Sequence, residues 1–317
     1  MKMLLCITVI VAAAATAVHA QPYPNRAVRM IVAFPAGGGT DIVARVVGAK
    51  LGEGLGQQVV IDNRAGAGGV IGTKAAATAA PDGYTIFMAT LGNLSVNPLL
   101  YDKLPFDVAR DFAPLTRVVA VTFMLWVYPA FPVKTVSDLI ALAKSKPVNY
   151  ASGGTGTGPH LAAELFNSMA GVKMTHIAYK GSAPSFTAVM GGETPLVFDS
   201  LAQGLPYLKS GKLRAVATLS ARRTPALPEV PAVAETLSGY EFVNWFGLVA
   251  PAATPRDIIN RLNAEVVKVL HMPEVRDKLI AMGAEPVGDT PAEFGAYLKS
   301  EAVKWAKVVK EANIHAN

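Results

Sequence analysis

The sequence predicts an α/β protein built as two lobes. Three observations lead there: a strand, glycine loop, helix and strand in succession near the start; the same succession again from residue 148; and a length of 317 residues. That length exceeds the roughly 250–300 residues over which a single core keeps growing. A βαβ unit implies a parallel sheet whose ligands sit at the carboxyl ends of its strands. Each lobe is therefore expected to be a mostly parallel sheet flanked by helices, the two joined by crossing strands. The expected divisions are residues 1–20 as an export signal, 21–122 with 244–317 as the first lobe, and 123–243 as the second.

Met1-Lys2 supplies a short positive start, Met3 to Ala17 is apolar, and Val18-His19-Ala20 carries small or aliphatic residues at the −3 and −1 positions of a signal-peptidase site. Cleavage after Ala20 is expected. A membrane anchor is the alternative, but the apolar run is shorter than the ~20 residues a spanning helix needs. Cys6 is the single cysteine and would leave with the signal, so thiolate and disulfide chemistry is not expected. Lysine and arginine number 29 against 23 acidic residues, and they are scattered. No basic run resembles a nucleic-acid stripe, so the charge reads as a mild bias toward anionic ligands.

The first unit is the clearest. Val28 to Ala33 is an apolar, β-branched strand, Phe34-Pro35-Ala36-Gly37-Gly38-Gly39-Thr40-Asp41 is the loop, and Ile42, Val43, Val46, Val47 and Leu51 follow at near-helical spacing. Glycines permit φ > 0 and close approach, and Thr40 or Asp41 can cap the helix. Free N–H groups and a positive dipole end then face whatever lies above the loop, which suits a carboxylate or phosphate. A tight turn with no ligand is the alternative. Val59 to Asp62 is the second strand; Asn63 to Gly69 is another glycine turn before an alanine-rich helix ending near Ala80; Tyr84 to Thr90 is the third strand, and Asn97 to Pro114 reads as loop.

Leu115 to Tyr128 reads as one long strand leaving the first lobe. Thr135-Val136-Ser137-Asp138 opens a helix with a capping box. The opening arrangement then recurs: strand Val148 to Ala151, loop Ser152-Gly153-Gly154-Thr155-Gly156-Thr157-Gly158, a helix from Pro159, and strand Met174 to Tyr179. Lys180 to Pro184 is a further loop, Ser185 to Met190 a helix, and Leu196 to Ser200 and Leu213 to Leu219 are strands. Glu241 to Ala250 is the return crossing, and three helices finish the chain, two of them signalled by Thr254-Pro255 and Thr290-Pro291. If each half places its loop and helix N-terminus at its own sheet edge, two facing edges make a cleft with donors on both walls.

Enzyme signatures mostly fail. Ile42 stands where a dinucleotide fingerprint needs its third glycine, although Asp62 mimics the ribose-binding acid. Gly211-Lys212 lacks the hydroxyl residue of a P-loop, and there is no Gly-x-Ser-x-Gly elbow. Ser152 and Ser182 with His160 and His176 are brought together by nothing in their spacing. His160, His176, His271 and His315 lack metal-ligand spacing and read as structural, so no metal or cofactor is expected. Trp126, Trp245 and Trp305 read as core or hinge packing. Asp41 reads first as a stabiliser of its own helix, and as a ligand contact only if the ligand also bears an amine.

With these loops in place, the sequence resembles the periplasmic solute receptors of tripartite tricarboxylate transporters, the Bug-type receptors. The ordered motifs are FPAGGGTDIVAR from Phe34 to Arg45, NRAGAGGVIG from Asn63 to Gly72, PDGYT from Pro81 to Thr85, Arg110-Asp111-Phe112, HLAAELF from His160 to Phe166, Tyr179-Lys180-Gly181, Gly211 to Arg214, and WFGLVAPAATP from Trp245 to Pro255. Asp62, Pro195-Leu196 and Ala232 depart from the family pattern outside the main loops. The resemblance implies a two-lobe, periplasmic-binding-protein-like fold that closes over its ligand. It implies that Phe34 and the loop Ala36, Gly37, Gly38, Gly39, Thr40 and Asp41 hold a carboxylate through backbone N–H groups and water. Ser152, Gly154, Thr155, Gly156, Thr157, Tyr179 and Lys180 would form the other wall, with Asp199 nearby.

The expected function is a periplasmic, non-catalytic receptor that captures a small carboxylate-bearing metabolite for uptake or sensing. Its implied partners are the ligand and either the membrane subunits of such a transporter or a sensor, without nucleic acid. The rival is an exported enzyme using the same cleft, with Asp41, His160 or Lys180 as acid or base.

Overall fold

The computed structural model describes residues 23–311 together with Ile314. The export signal and its cleavage point, Cys6, His19 and His315 lie outside the described residues.

The first unit is β1 (Val28–Val32), α1 (Gly39–Leu55), β2 (Val59–Asn63), α2 (Val70–Ala77) and β3 (Thr85–Thr90). The segment after β3 is more ordered than a loop. A π-helical turn (Gly92–Val96) leads into α3 (Asn97–Leu100), and α4 (Val108–Asp111) precedes β4 (Phe112–Val121). Asn93 Oδ1 accepts from both the N–H and the hydroxyl of Thr90, which ties the turn to the end of β3. Prolines and weak periodicity concealed these short elements, because one or two turns of helix leave no repeat to read.

The expected crossing strand is two strands. β5 (Phe123–Val127) follows β4 after Thr122, whose N–H bonds to Gly283 O while its carbonyl accepts from Leu201 N–H. The remaining elements are α5 (Val136–Ser145), β6 (Asn149–Ser152), α6 (Gly158–Ala170), β7 (Thr175–Ala178), α7 (Ser182–Met190), β8 (Leu196–Ser200), α8 (Leu201–Lys209) and β9 (Arg214–Thr218). After the return come β10 (Asn244–Pro251), α9 (Arg256–His271), α10 (Pro273–Ala281), β11 (Ala284–Pro286) and α11 (Pro291–Glu311).

Two sheets result, ordered β11-β4-β10-β3-β1-β2 and β7-β6-β8-β5-β9. The βαβ units give the parallel pairs: β1 with β2 and β3, and β6 with β7 and β8. The crossing strands add antiparallel pairs, β10 between β3 and β4 and β5 between β8 and β9, so both sheets are mixed. β10 is buried along its whole length, as a strand covered on both faces must be.

Helix ends follow the caps in the sequence where they face solvent. Thr135 and Asp138 form a reciprocal capping box on α5, and Thr290 and Glu293 do the same before α11. Thr254 instead turns its hydroxyl back to Pro251 O, and α9 starts after Pro255. The three tryptophans are buried. Trp245 and Trp305 both donate to Glu301 Oε2 at 3.2 Å, joining β10 to α11.

A methyl group at Gly247 in β10 would lie 2.3 Å from the Phe294 ring. Gly247→Ala should therefore lower stability by about 1–3 kcal/mol through overpacking, a drop in melting temperature of several degrees, measured by calorimetric unfolding.

Candidate ligand cleft between the lobes

The glycine loop after β1 is held open by a side chain behind it. Gly37 has φ +79°, and its N–H donates to Asp41 Oδ2 at 2.9 Å. The same oxygen accepts from Arg45 Nε at 2.9 Å, and Asp41 Oδ1 accepts from Asn63 Nδ2, which also reaches Phe34 O. Burial alone would raise the Asp41 carboxyl, but the bonds from Arg45, Gly37 and Asn63 outweigh it and hold it below the usual carboxylate range. Asp41 therefore supports the loop from behind and does not face the cleft. Asp62, the mimic of a ribose-binding acid, is engaged by Arg64 and Arg29.

The second glycine loop has a different support. The Ser152 hydroxyl donates to Gly154 O and accepts from Gly154 N–H, while meeting His176 Nε2. His176 stacks between Tyr150 and His160, with ring centroids 5.1 and 4.2 Å away. His160 Nδ1 accepts the Gly156 N–H at 3.2 Å, and Thr157 Oγ1 donates to Gly154 O at 2.6 Å. Burial pushes His160 down to about 3, helped by His176, and His176 down to about 4. Tertiary structure thus joins Ser152 and His176, which their spacing could not. The pair is no nucleophile and base: Ser152 is fully buried and committed to its own loop, and a histidine that stays neutral near pH 4 is a weak proton acceptor.

Where the loops meet, four helices begin. α1, α6, α7 and α8 have Gly38, Thr157, Gly181 and Ser200 at their N-cap positions, and none of the four has a side-chain cap. Their first turns converge on one small cavity, lined by Gly38, Gly39 and Thr40, by Thr157, Gly158 and Pro159, and by Ser182 and Ser200. Phe34, Phe123 and Phe246 supply its apolar walls, and Asp199, Thr90 and Asn244 its other polar groups. The lobes meet closely around it. A methyl at Gly39 would lie 2.7 Å from Ser200 Oγ, at Gly68 2.3 Å from Thr155 O, and at Gly92 2.4 Å from Gly156 O.

The residues singled out in the sequence therefore separate. Phe34, Gly38, Gly39, Thr40, Thr157 and Asp199 line the cavity together. Ala36 and Gly37 lie exposed at the loop tip, and Gly154, Thr155 and Gly156 face the other lobe's backbone near Gly68, Gly92 and Asn97. Asp41 and Ser152 are turned into their own loops, Tyr179 OH donates to Glu193, and Lys180 is exposed. Ser182 and Ser200 were legible by the same rule as Thr40, since each stands where a helix begins. Thr90, Phe123, Asn244 and Phe246 come from strand ends and carried no local signal.

A family model described as "Tripartite tricarboxylate transporter family receptor" matches residues 43–314. The chain belongs to this receptor family. Protein BugT of Bordetella pertussis is 39% identical over 318 residues, covering 98% of this chain and 97% of that protein. A protein of R. palustris solved with adipate superposes with a TM-score of 0.90 at 38% identity, covering 92% of this chain and 99% of that one. MatC of Rhodopseudomonas palustris, solved with bound malate, gives 0.86 at 31%, covering 90% and 100%. These are receptors with two-lobe folds, and the enzyme reading of the cleft finds no counterpart among them.

Two outcomes follow from the loop supports. Asp41→Asn should cost about 2 kcal/mol in urea unfolding by removing charge-assisted bonds to Gly37 and Arg45, and its contribution in the native chain should fade below about pH 4, where a carboxylate with a depressed value takes up its proton. His160 and His176 are neutral when folded but protonate below about 6.5 when unfolded. Stability should therefore fall as pH drops from about 6.5 toward 4, by about 1.4 kcal/mol per pH unit for each histidine, in melts across that range.

Proposed function

We propose that the chain captures a small carboxylate-bearing metabolite between its lobes and delivers it to the membrane subunits of a tripartite tricarboxylate transporter, or to a sensor. The observation that carries this reading is the convergence of four uncapped helix N-termini on one cavity. Orphan N–H groups and aligned dipoles bind an anion without a fixed cation. Helices α2, α9 and α10 also begin without a side-chain cap, so it is the convergence of four such ends on one cavity, and not the missing caps alone, that points to a ligand. The adipate and malate of the two relatives support the same ligand class.

In this reading Gly38, Gly39 and Thr40 hold the carboxylate from one side, Thr157 and Asp199 stand on the other, and Phe34 covers the methylene chain. Ala36, Gly37, Gly154, Thr155, Gly156, Tyr179 and Lys180 act at the rim, where the lobes close on one another. Asp41 and Ser152 contribute by shaping their loops. The lobes, residues 21–122 with 244–317 and residues 123–243, move about Thr122 and the return segment before β10. The receptor works outside the cytoplasm after cleavage following Ala20. Among the described residues no helix is long and apolar enough to cross a membrane.

Isothermal calorimetry against a panel of di- and tricarboxylates, acidic amino acids and aromatic acids tests the reading. At least one should bind with a micromolar or tighter constant and be recovered unchanged; turnover of the compound would defeat it. Gly38→Asp places a carboxylate at the start of α1 in a backbone conformation that aspartate adopts freely, with φ −77° and ψ 162°. It should weaken binding at least tenfold with the melting temperature nearly unchanged, and undiminished affinity would refute the placement.

A further inference from the structure

The cavity has one ionisable group of its own. Among its lining residues only Asp199 carries a charge, and lysine, arginine and histidine do not reach it. Asp199 is 2% exposed; its Oδ1 accepts the Ser200 N–H at 2.6 Å, whereas Oδ2 has no partner. Ser200 Oγ and Asn244 Oδ1, in side chains 1% and 3% exposed, are also without partners. Buried polar atoms are almost always satisfied; Asp199 Oδ2 and Asn244 Oδ1 are acceptors and the Ser200 hydroxyl can accept as well as donate, so the three form a polar end with room for a donor. Helix N-termini supply only donors, and a plain carboxylate has none to offer to these oxygens.

Charge counting points the same way. Each helix end carries about half a positive charge, so four ends bring roughly +2. A dianion beside ionised Asp199 would bring three negative charges into that field. An ammonium on the guest removes the excess and gives Asp199 its missing partner. Burial pushes the Asp199 carboxyl up to about 6, outweighing the lowering by its neutral hydrogen-bonding neighbours, the Ser182 and Ser200 hydroxyls and the Ser200 N–H, none of which supplies a counter-charge.

We propose that the ligand carries an ammonium group beside its carboxylate, and that Asp199 Oδ2, with Ser200 Oγ and Asn244 Oδ1, is the site that reads it. This rests on the carboxylate-receptor reading and narrows it to amino-carboxylates.

Matched pairs test it by calorimetry at pH 7.5: succinate with aspartate, glutarate with glutamate, and propionate with alanine. In at least one pair the amino member should bind at least tenfold tighter. In Asp199→Asn that gap should shrink to within threefold, through weaker binding of the amino member and, with a negative charge removed from beside the anion, no weakening of the amine-free member. Independently of any variant, binding of the amino member should weaken between pH 7.5 and 5 as Asp199 takes up its proton, since the side-chain carboxyls of aspartate and glutamate stay mostly ionised over that range. His160, His176 and Asp41 lie behind the loops and titrate lower, so they do not share that transition. An amine-free member that binds as well or better in every binding pair, a gap unchanged in Asp199→Asn, or an amino member whose affinity is unchanged across that pH range would overturn the inference alone. No binding by either member of any pair, with native unfolding, would overturn the inference alone if another compound of the wider carboxylate panel binds, and the carboxylate reading with it if none does.

Discussion

The constraint on which the rest of this structure depends is that four helices begin around one cavity with no side chain capping their first turns. An α-helix leaves its first four donors without partners, and a protein normally supplies side chains to take them. Here α5 and α11, on the surface, are capped in that way. At the cleft, α1, α6, α7 and α8 are not. Such an arrangement is stable only if water or a guest completes it. The binding function is thus the counterpart of a deficit in the fold.

Holding the ends open requires a second layer. A glycine loop alone is flexible, and each of the two main loops is fixed from behind by a buried polar side chain. Asp41 bridges Gly37, Arg45 and Asn63 in the first lobe. Ser152, with His176 and His160, fixes Gly154 and Gly156 in the second. The two solutions differ in chemistry, one anionic and one neutral, yet both direct side chains away from the cleft and leave backbone facing it. In that light Asp41 does not conflict with an anion site, since its charge is spent on its neighbours.

Closure is made possible by missing side chains. Thr155 O and Gly156 O of one lobe approach Gly68 and Gly92 of the other so closely that a Cβ at either glycine could not fit. Contacts of this kind are backbone against backbone and bury little apolar area, so they favour a hinge that can reopen over one that stays shut. Thr122 fits that role: it separates β4 from β5 and bonds to both sides of the break, with its N–H on Gly283 and its carbonyl on Leu201.

The sequence by itself determined the two βαβ units and their glycine loops, which hold no arginine, because hydrophobic periodicity and glycine placement are local. It determined the surface helix caps for the same reason, and it marked Phe34, Gly38 to Thr40, Thr157 and Asp199, all of which line the cavity. Tertiary structure alone decided which loop residues face the cleft: Asp41 and Ser152 stand beside glycines that do, and only their bonds to Asn63 and His176, from other strands, turn them away. It also decided the polar end formed by Asp199, Ser200 and Asn244, since two of these come from the end of β8 and one from the start of β10. No pattern within one segment encodes the meeting of strand ends from two sheets; packing of the lobes does.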